Sequence, residues 1–463
     1  MVDGACVASS VEVVPPLIAL ADPPVRGVAM GAGGVADTGG GVVGGSVARQ
    51  LTTQADDLAQ RIGRPLELVG IAVRRADRDR SGLGVDPALF TTDADELVTR
   101  ADIVVEVIGG IEPARSLILS AMEHGASVVT ANKALLAEDG PTLYAAAEQH
   151  GVDLYYEAAV AGAIPILRPL RDSLGGDRVT RVMGIANGTT NFILDRMDSE
   201  GADFDDALAE AQRLGYAEAD PTADVEGHDA AAKAAILATI AFGAPYTLDQ
   251  VAVAGITAIT AEDNAAAAEA GYVIKLLAIA ERGRAADGAQ GAVLRVHPTL
   301  LPREHPLASV RGAFNAVFVE ADNAGELMFY GPGAGGAPTA SAVMGDVVSI
   351  AQRIVRGGPA RLRTPVTALP ALDPAEAHTS FMVVLRAADQ PGVLRRVAGV
   401  FEEHGVSIET LRQVPSERED APGASLRLIT HRARQRDLDA TVEALAALDV
   451  VHEVASVLRV EGN

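Results

Sequence analysis

Between Val25 and Tyr156, hydrophobic and polar positions alternate between two periods. Compact apolar runs rich in Val and Ile occur at 25–30 (VRGVAM), 66–75 (LELVGIAVRR), 102–109 (DIVVEVIG), 126–132 (ASVVTAN) and 152–160 (VDLYYEAAV). Each reads as a strand, and helical stretches separate them, among them a single amphipathic helix over SVARQLTTQADDLAQRI (46–62). Strands alternating with helices predict a doubly wound parallel sheet, with ligands beyond the carboxyl ends of its strands. VIGGIEP and VVTANKALL lie at such ends.

Past Glu157 the pattern changes. DRVTRVMGIANGTTNFIL reads as a strand, a polar turn and a helix. Alanine-rich helices follow, with short strands at AVLRVHPTLL and AFNAVFVEAD, so residues 157–330 are expected to form an α+β domain. Residues 230–242 read as a buried core helix, and GYVIKLLAIAER (271–282) as an apolar helix face on which Lys275 is structural or snorkelling. A glycine loop and helix at about 331–356 complete the first domain, which otherwise spans 25–156. A linker covers 357–378. Residues 379–463 read strand, helix, strand, strand, helix, strand, and residues 1–24 as an irregular N-terminal extension.

Composition narrows the function. The 463 residues suggest roughly three domains. A formal charge of -24 with no strongly basic segment argues against nucleic acid or an anionic membrane as partner. Cys6 is the single cysteine, which excludes an internal disulfide and points to a cytoplasmic protein; no signal peptide or membrane span is expected. Of 38 basic residues only Lys133, Lys233 and Lys275 are lysines. A chain that uses arginine wherever charge suffices retains lysine where a proton must leave and return. That reasoning singles out Lys133 and Lys233.

The stretch MGAGGVADTGGGVVGGSVARQL offers two registers for a dinucleotide-binding turn. Gly31, Gly33 and Ala36 follow the better strand. Gly39, Gly41 and Gly44, with Val43 between them, precede the better helix. Strand two ends in Arg74 and Arg75 where a cofactor with a free ribose hydroxyl would meet an acid, which favours NADP over NAD.

LGYAEADPTADVEGHDAAAKAA (214–235) gathers Glu218, Asp220, Asp224, Glu226 and Asp229 ahead of Lys233. Asp229 and Lys233 stand i, i+4 on one helix face, where an aspartate can hold a lysine and tune its pKa. A buried lysine so held can give a proton to a carbonyl oxygen as hydride arrives at carbon. The other acids suit a substrate ammonium. A calcium loop starting at Asp220 would need Gly and an acid where Val225 and Ala231 stand.

VEVIGG, TANKALLA, YYEAAVAGAIPI, NGTTNFIL, GYAEADPTADVEGHDAAAKAAIL and YGPGAGGAPTASAV together resemble homoserine dehydrogenase, almost continuously over residues 66–350, and the C-terminal segment resembles an ACT domain. The resemblance implies a Rossmann-type sheet, an α+β catalytic and dimerisation domain and a ferredoxin-like ACT domain. It also implies NAD(P)-dependent interconversion of L-homoserine and L-aspartate 4-semialdehyde. Lys233 would be the proton donor, with Asp229 ordering it and Lys133 near nicotinamide and substrate. Glu218 and Asp224 would bind substrate, with Thr189 and Tyr216 beside them. Gly109, Gly215 and Gly333 would line the cofactor, and the family pattern aligns Gly39, Gly41, Val43 and Gly44 with the phosphate turn. A structural sodium ion would be held by backbone oxygens of Glu157, Val160, Gly162 and Ile164. Threonine feedback at the ACT domain and a homodimer are further expectations. Residues 31–38 depart from the family pattern as an insertion before the phosphate turn. Two alternatives remain: an amino-acid sensor with an impaired cofactor loop, and a dehydrogenase for a related amino-alcohol.

Overall fold

A computed structural model describes residues 25–32, 40–75, 80–360, 368–415 and 423–462. The N-terminal extension and Gly39 lie outside the described residues.

Six parallel strands form the first sheet: β1 (Val25–Ala32), β2 (Leu66–Val73), β3 (Phe90–Thr91), β4 (Ile103–Glu106), β5 (Ser127–Thr130) and β6 (Leu154–Tyr155), in the order β3-β2-β1-β4-β5-β6. One face is covered by α1 (Gly40–Thr53) and α2 (Ala55–Ile62), the other by α3 (Ala94–Val98), α4 (Ala114–Glu123) and α5 (Lys133–His150). Because both faces are covered, Ile103, Val105, Val128 and Val129 are all fully buried, which explains unbroken apolar runs in place of alternation.

The second sheet starts from β7 (Val179–Ile185), followed in the chain by α6 (Gly188–Glu200), α7 (Phe204–Arg213), α8 (Thr222–Val225) and α9 (His228–Phe242). Then come β8 (Ala252–Val253), α10 (Ala261–Glu269), β9 (Tyr272–Arg284), β10 (Gln290–Pro302), β11 (Phe314–Ala321) and β12 (Gly325–Pro332). The helix α11 (Gly336–Arg356) returns to the first sheet, where Val343, Val347 and Ile350 pack with Val47, Ile71 and Val105. The C-terminal unit runs β13 (His378–Ala387), α12 (Val393–Glu403), β14 (Ile408–Pro415), β15 (Ala424–Thr430), β16 (Ala433–Arg434), α13 (Gln435–Ala446) and β17 (Val451–Val460). Its sheet is continuous with that of the middle domain, in the order β12-β11-β7-β9-β10-β17-β13-β15-β14. The join is short and parallel, Thr299 with Arg459 and Leu300 with Val460.

A buried ionic cluster reinforces that join. The Glu461 carboxylate accepts from Arg295 at 2.6 Å and from Arg181, and Glu281 holds Arg295 at 2.5 Å. Burial acts to raise the Glu461 pKa, but the two guanidinium groups bring it down to about 2.

Three expectations are corrected. Residues 272–284 are a strand, not a helix face: a run buried on both sides of a sheet carries no periodicity that separates it from a buried helix. Lys275 therefore does not snorkel. It is fully buried, donates to Asn191 Oδ1 at 3.0 Å and to the Val310 carbonyl at 2.6 Å, and burial lowers its pKa to about 8. The stretch 46–62 is two helices meeting at Gln54, and the first begins at Gly40 and includes Gly41 and Gly44 of the second register. The strand expected over 152–160 shrinks to Leu154–Tyr155, because Glu157–Ala159 turn into a 3-10 segment.

Candidate active site

Gly31 is within β1, paired with Ala72 and Glu106, so it belongs to a strand and not to a turn. Gly41, Val43 and Gly44 lie in the opening turns of α1, where unpaired N–H groups and the helix dipole favour an anion. At the carboxyl end of β4, Gly109 and Gly110 adopt φ of 78° and 76°, and a Cβ on either would meet nothing within 4 Å. Gly215 (φ 79°) is equally open. Open space above left-handed glycines is the cradle a flat cofactor needs. Arg74 and Arg75 are exposed directly beyond β2, and no acid takes their place.

A buried carboxylate shapes the β4 loop. Glu106 accepts from the Ile108 and Gly109 N–H groups at 2.6 and 3.0 Å and from the Thr130 hydroxyl at 2.5 Å. Asn132 then donates to the Gly110 carbonyl at 2.6 Å and caps α5 by accepting from Leu135 N–H at 3.2 Å. The cap sets Lys133 on the first turn of α5.

From there Lys133 meets the acidic segment. Asp229 Oδ1 lies 2.5 Å from Lys133 Nζ, and Asp229 Oδ2 lies 2.6 Å from Lys233 Nζ. One carboxylate thus bridges two of the three lysines. Lys233 also donates to the Ala186 carbonyl at 2.5 Å, so its third N–H has no protein acceptor among the described residues. Its side chain is 10% exposed against 45% for Lys133. Burial pushes the Lys233 pKa down and the Lys133 charge adds to this; Asp229 opposes, and the net direction is downward. Burial acts to raise the Asp229 pKa, but the two ammonium groups hold it well below the usual carboxylate range.

Asn187 connects the remaining acid, donating to Asp224 at 2.7 Å and to Asp229 at 2.9 Å. It also caps α6 by accepting from Thr190 N–H. Thr189 donates to the Tyr216 carbonyl at 2.7 Å, and the half-exposed Tyr216 ring lies 5.0 Å from that of Phe192. Glu218 is exposed, and its side chain has no hydrogen bond to this cluster.

The turn at 157–164 is buried and tight. Ala161 (φ 57°) is the one non-glycine with positive φ among the described residues, and Gly162 (φ 58°) follows it. Strain of this kind concentrates at functional sites. Val160 and Ile164 are buried on either side. The Glu157 side chain accepts from Ile166, Leu167 and Arg168 N–H groups, leaving its main chain to the turn. Asp346 accepts from Glu157 N–H at 2.8 Å, and burial beside the Glu157 carboxylate raises its pKa to about 7. Gly333 presses on this turn: a Cβ on Gly162 would lie 2.5 Å from its carbonyl, and a Cβ on Gly333 would lie 2.2 Å from the Asn315 amide. Both polar atoms of that buried amide lack a protein partner among the described residues. Left-handed backbone and an orphaned amide together fit a bound cation or cofactor group at this junction.

Sequence reasoning missed Glu106, Asn187, Asp346 and Asn315. Glu106, Asp346 and Asn315 each stand as a lone polar residue in an apolar or Gly-rich stretch (IVVEVIG, VMGDVV and AFNAVF), and Asn187 sits in a short polar turn, ANGTT.

Comparison with known proteins bears on this geometry. Family models described as "Homoserine dehydrogenase", "Homoserine dehydrogenase, NAD binding domain" and "ACT domain" match residues 165–348, 39–157 and 381–450. A homoserine dehydrogenase of Corynebacterium glutamicum is 56% identical over 92% of this chain and 95% of its own. A crystal structure of a homoserine dehydrogenase from Thiobacillus denitrificans is similar with a TM-score of 0.84 at 40% identity, over 94% of this chain and 98% of that one. A hyperthermophilic archaeal homoserine dehydrogenase in complex with NADPH aligns with a TM-score of 0.58 at 27% identity, over 73% and 99% of the two chains.

Proposed function

The chain belongs to the homoserine dehydrogenase family of nucleotide-dependent oxidoreductases and carries a C-terminal ACT domain, and from that premise we propose that Lys233 is its acid–base group and NADP its preferred cofactor. The observation that carries the reading is the Asp229 carboxylate shared by Lys133 and Lys233 beside the carboxyl ends of β4 and β5.

In the reducing direction the free N–H of Lys233 donates to the C4 oxygen of the semialdehyde, and in the oxidising direction the neutral amine takes the hydroxyl proton back. A lowered pKa suits both directions near neutral pH. Asp229 fixes the Lys233 rotamer, and Lys133 presents a second cation toward the substrate and nicotinamide. Asp224 and Glu218 receive the substrate ammonium, Thr189 and Tyr216 frame it, and Asn187 keeps Asp224 and Asp229 in one layer. When bound, the nicotinamide would supply the hydride for reduction and accept it on oxidation.

Gly39, Gly41, Val43 and Gly44 would hold the pyrophosphate at the start of α1. Arg74 would meet the 2′-phosphate, a choice in keeping with the NADPH in the archaeal relative. Gly109, Gly215 and Gly333 would let the ring and ribose approach. The carbonyls of Glu157, Val160, Gly162 and Ile164 would hold a structural sodium ion, which the left-handed pair Ala161–Gly162 suits. Threonine is the proposed ACT effector. A dimer through the middle domain would cover the exposed, stacked Phe314 and Tyr330, whose rings lie 5.2 Å apart.

The test is Lys233→Met. Turnover in both directions should fall by about 10²–10⁴ with NADPH binding retained. Loss within threefold of wild type would reject the acid–base assignment.

A further inference from the structure

A cavity of about 430 Å³ opens at the seam between the middle domain and the ACT domain. One wall is the β9–β10 hairpin with Glu281, Arg282 and Arg284; Arg178, just before β7, adds to it. The opposite wall is Glu376, His378 and Arg432. The volume lies in the range of small-molecule sites. At its edge Pro370–Leu372 pack tightly on β10, since a Cβ on Gly291 would strike Leu372 at 2.5 Å and the Pro370 carbonyl at 2.6 Å.

Its charge runs against the rest of the chain. Four arginines and two glutamates line it, but both glutamates are engaged elsewhere. Glu281 is held by Arg295 and Arg181 in the buried cluster, and Glu376 pairs with Arg436 at 3.0 Å and Arg434 at 3.4 Å. Among the described residues, Arg178, Arg282 and Arg284 make no ion pair. Arg282 spends Nε on the Val179 carbonyl at 2.9 Å and stacks on Phe242, while Arg432 donates to the His378 carbonyl at 2.7 Å and lies 3.8 Å from Glu281. In a chain of net charge -24, three guanidinium groups without an ion pair among the described residues leave a local positive excess around one cavity. Guanidinium groups with donors to spare are the recognition chemistry of carboxylate and phosphate.

We propose that this cavity is a binding site for a small oxyanion-bearing metabolite, carboxylate or phosphate, held by Arg178, Arg282, Arg284 and Arg432 and bridging the β9–β10 hairpin to the ACT domain. The site is separate from the dehydrogenase centre, none of whose residues line it. Its occupant would stand beside Glu281, a member of the buried cluster that docks β17 on the middle-domain sheet. Binding therefore tightens that docking.

The experiment uses the full chain with saturating NADPH, so that phosphate cannot report the dinucleotide turn. Inorganic phosphate and succinate are titrated separately by calorimetry and by thermal melting. At least one of them should bind saturably at millimolar concentration or tighter and raise the melting temperature. The double variant R178Q/R284Q, at exposed positions, should weaken it about tenfold or more. Arg282→Met should do the same, and Arg213→Gln on the surface of α7 should change nothing. Preference for phosphate or for succinate identifies the oxyanion source. No saturable binding to wild type, or binding unchanged in both R178Q/R284Q and Arg282→Met, overturns the proposal. Binding is read without turnover, so an inactive dehydrogenase would count against the proposed chemistry and leave this result standing.

Discussion

Replacing Asp229 by Asn keeps the shape of the side chain and removes the charge that two lysines share. In the native site Asp229 receives Lys133 at 2.5 Å and Lys233 at 2.6 Å, and the Asp229 and Lys233 side chains are 8% and 10% exposed. A unit charge pair about 4 Å apart is worth ~4 kcal/mol at an effective dielectric of ~20, or about three pH units on the partner lysine. Lys133, still nearby and now unpaired, pushes the Lys233 pKa the same way. Asp229→Asn should therefore lower the Lys233 pKa further. The consequence for activity differs by direction. Oxidation needs the neutral amine, so its acidic limb should move to lower pH. Reduction needs the ammonium, so its basic limb should also move down and activity at pH 8 should suffer most. The rotamer is also freed, so maximal turnover should fall by about 10²-fold or more. Steady-state pH profiles in both directions provide the assay. Profiles coincident with wild type and turnover within threefold would refute the bridging role.

Other expectations follow from the same geometry. Asp346 has its pKa raised to about 7, so the folded protein holds a proton there that the unfolded chain gives up near pH 4, and this group's contribution to stability falls as pH rises between those values. Asp346→Asn should thus gain stability relative to wild type between pH 4 and 7, measured as the difference of their denaturation midpoints; a pH-independent difference rejects the shift. Arg74→Ser should lower the NADPH-to-NADH ratio of kcat/KM by about tenfold or more, and an unchanged ratio removes Arg74 from the 2′-phosphate site. Gly333→Ala must displace the Asn315 amide or the turn at Gly162, so cofactor affinity by fluorescence titration should drop several-fold. Glu461→Gln leaves Arg181 and Arg295 with an uncharged partner and should cost ~3 kcal/mol or more, seen as a lower melting temperature and faster proteolysis in residues 357–378.

What was legible in the sequence was local. Lysine scarcity and i, i+4 spacing are statements about neighbours along the chain, and they led to Lys233 and Asp229. The strand–turn–lysine order at TANK did the same for Lys133. The join between them was not legible, because Lys133 and Asp229 stand far apart in sequence and only the packing of α5 on α9 unites them. Lys275 misled for a physical reason. A residue in a strand buried on both faces sees apolar neighbours at every offset, so no period distinguishes strand from helix there. Asn187 and Asn315 are ordinary residues in sequence, and their importance lies in what their amides meet or fail to meet. The cluster of Arg181, Glu281, Arg295 and Glu461 gathers four distant segments, and no window of the chain contains it.

The shared eleven-stranded sheet bears on how this protein could be taken apart. The outer side of β10 is covered by Pro370–Leu372 at one end and by Arg459–Glu461 at the other, both from the region after α11. Cutting the chain after Arg356 would therefore not yield a trimmed, constitutively active enzyme. It would lay bare both ends of the outer edge of β10, around Ala292 and around Thr299–Leu300, leaving only its middle paired with β8, and would strand Arg181, Arg295 and Glu281 without Glu461. An engineer seeking to release this enzyme from control would do better to disable the appended module by point substitutions while leaving β17 in place as a permanent splint.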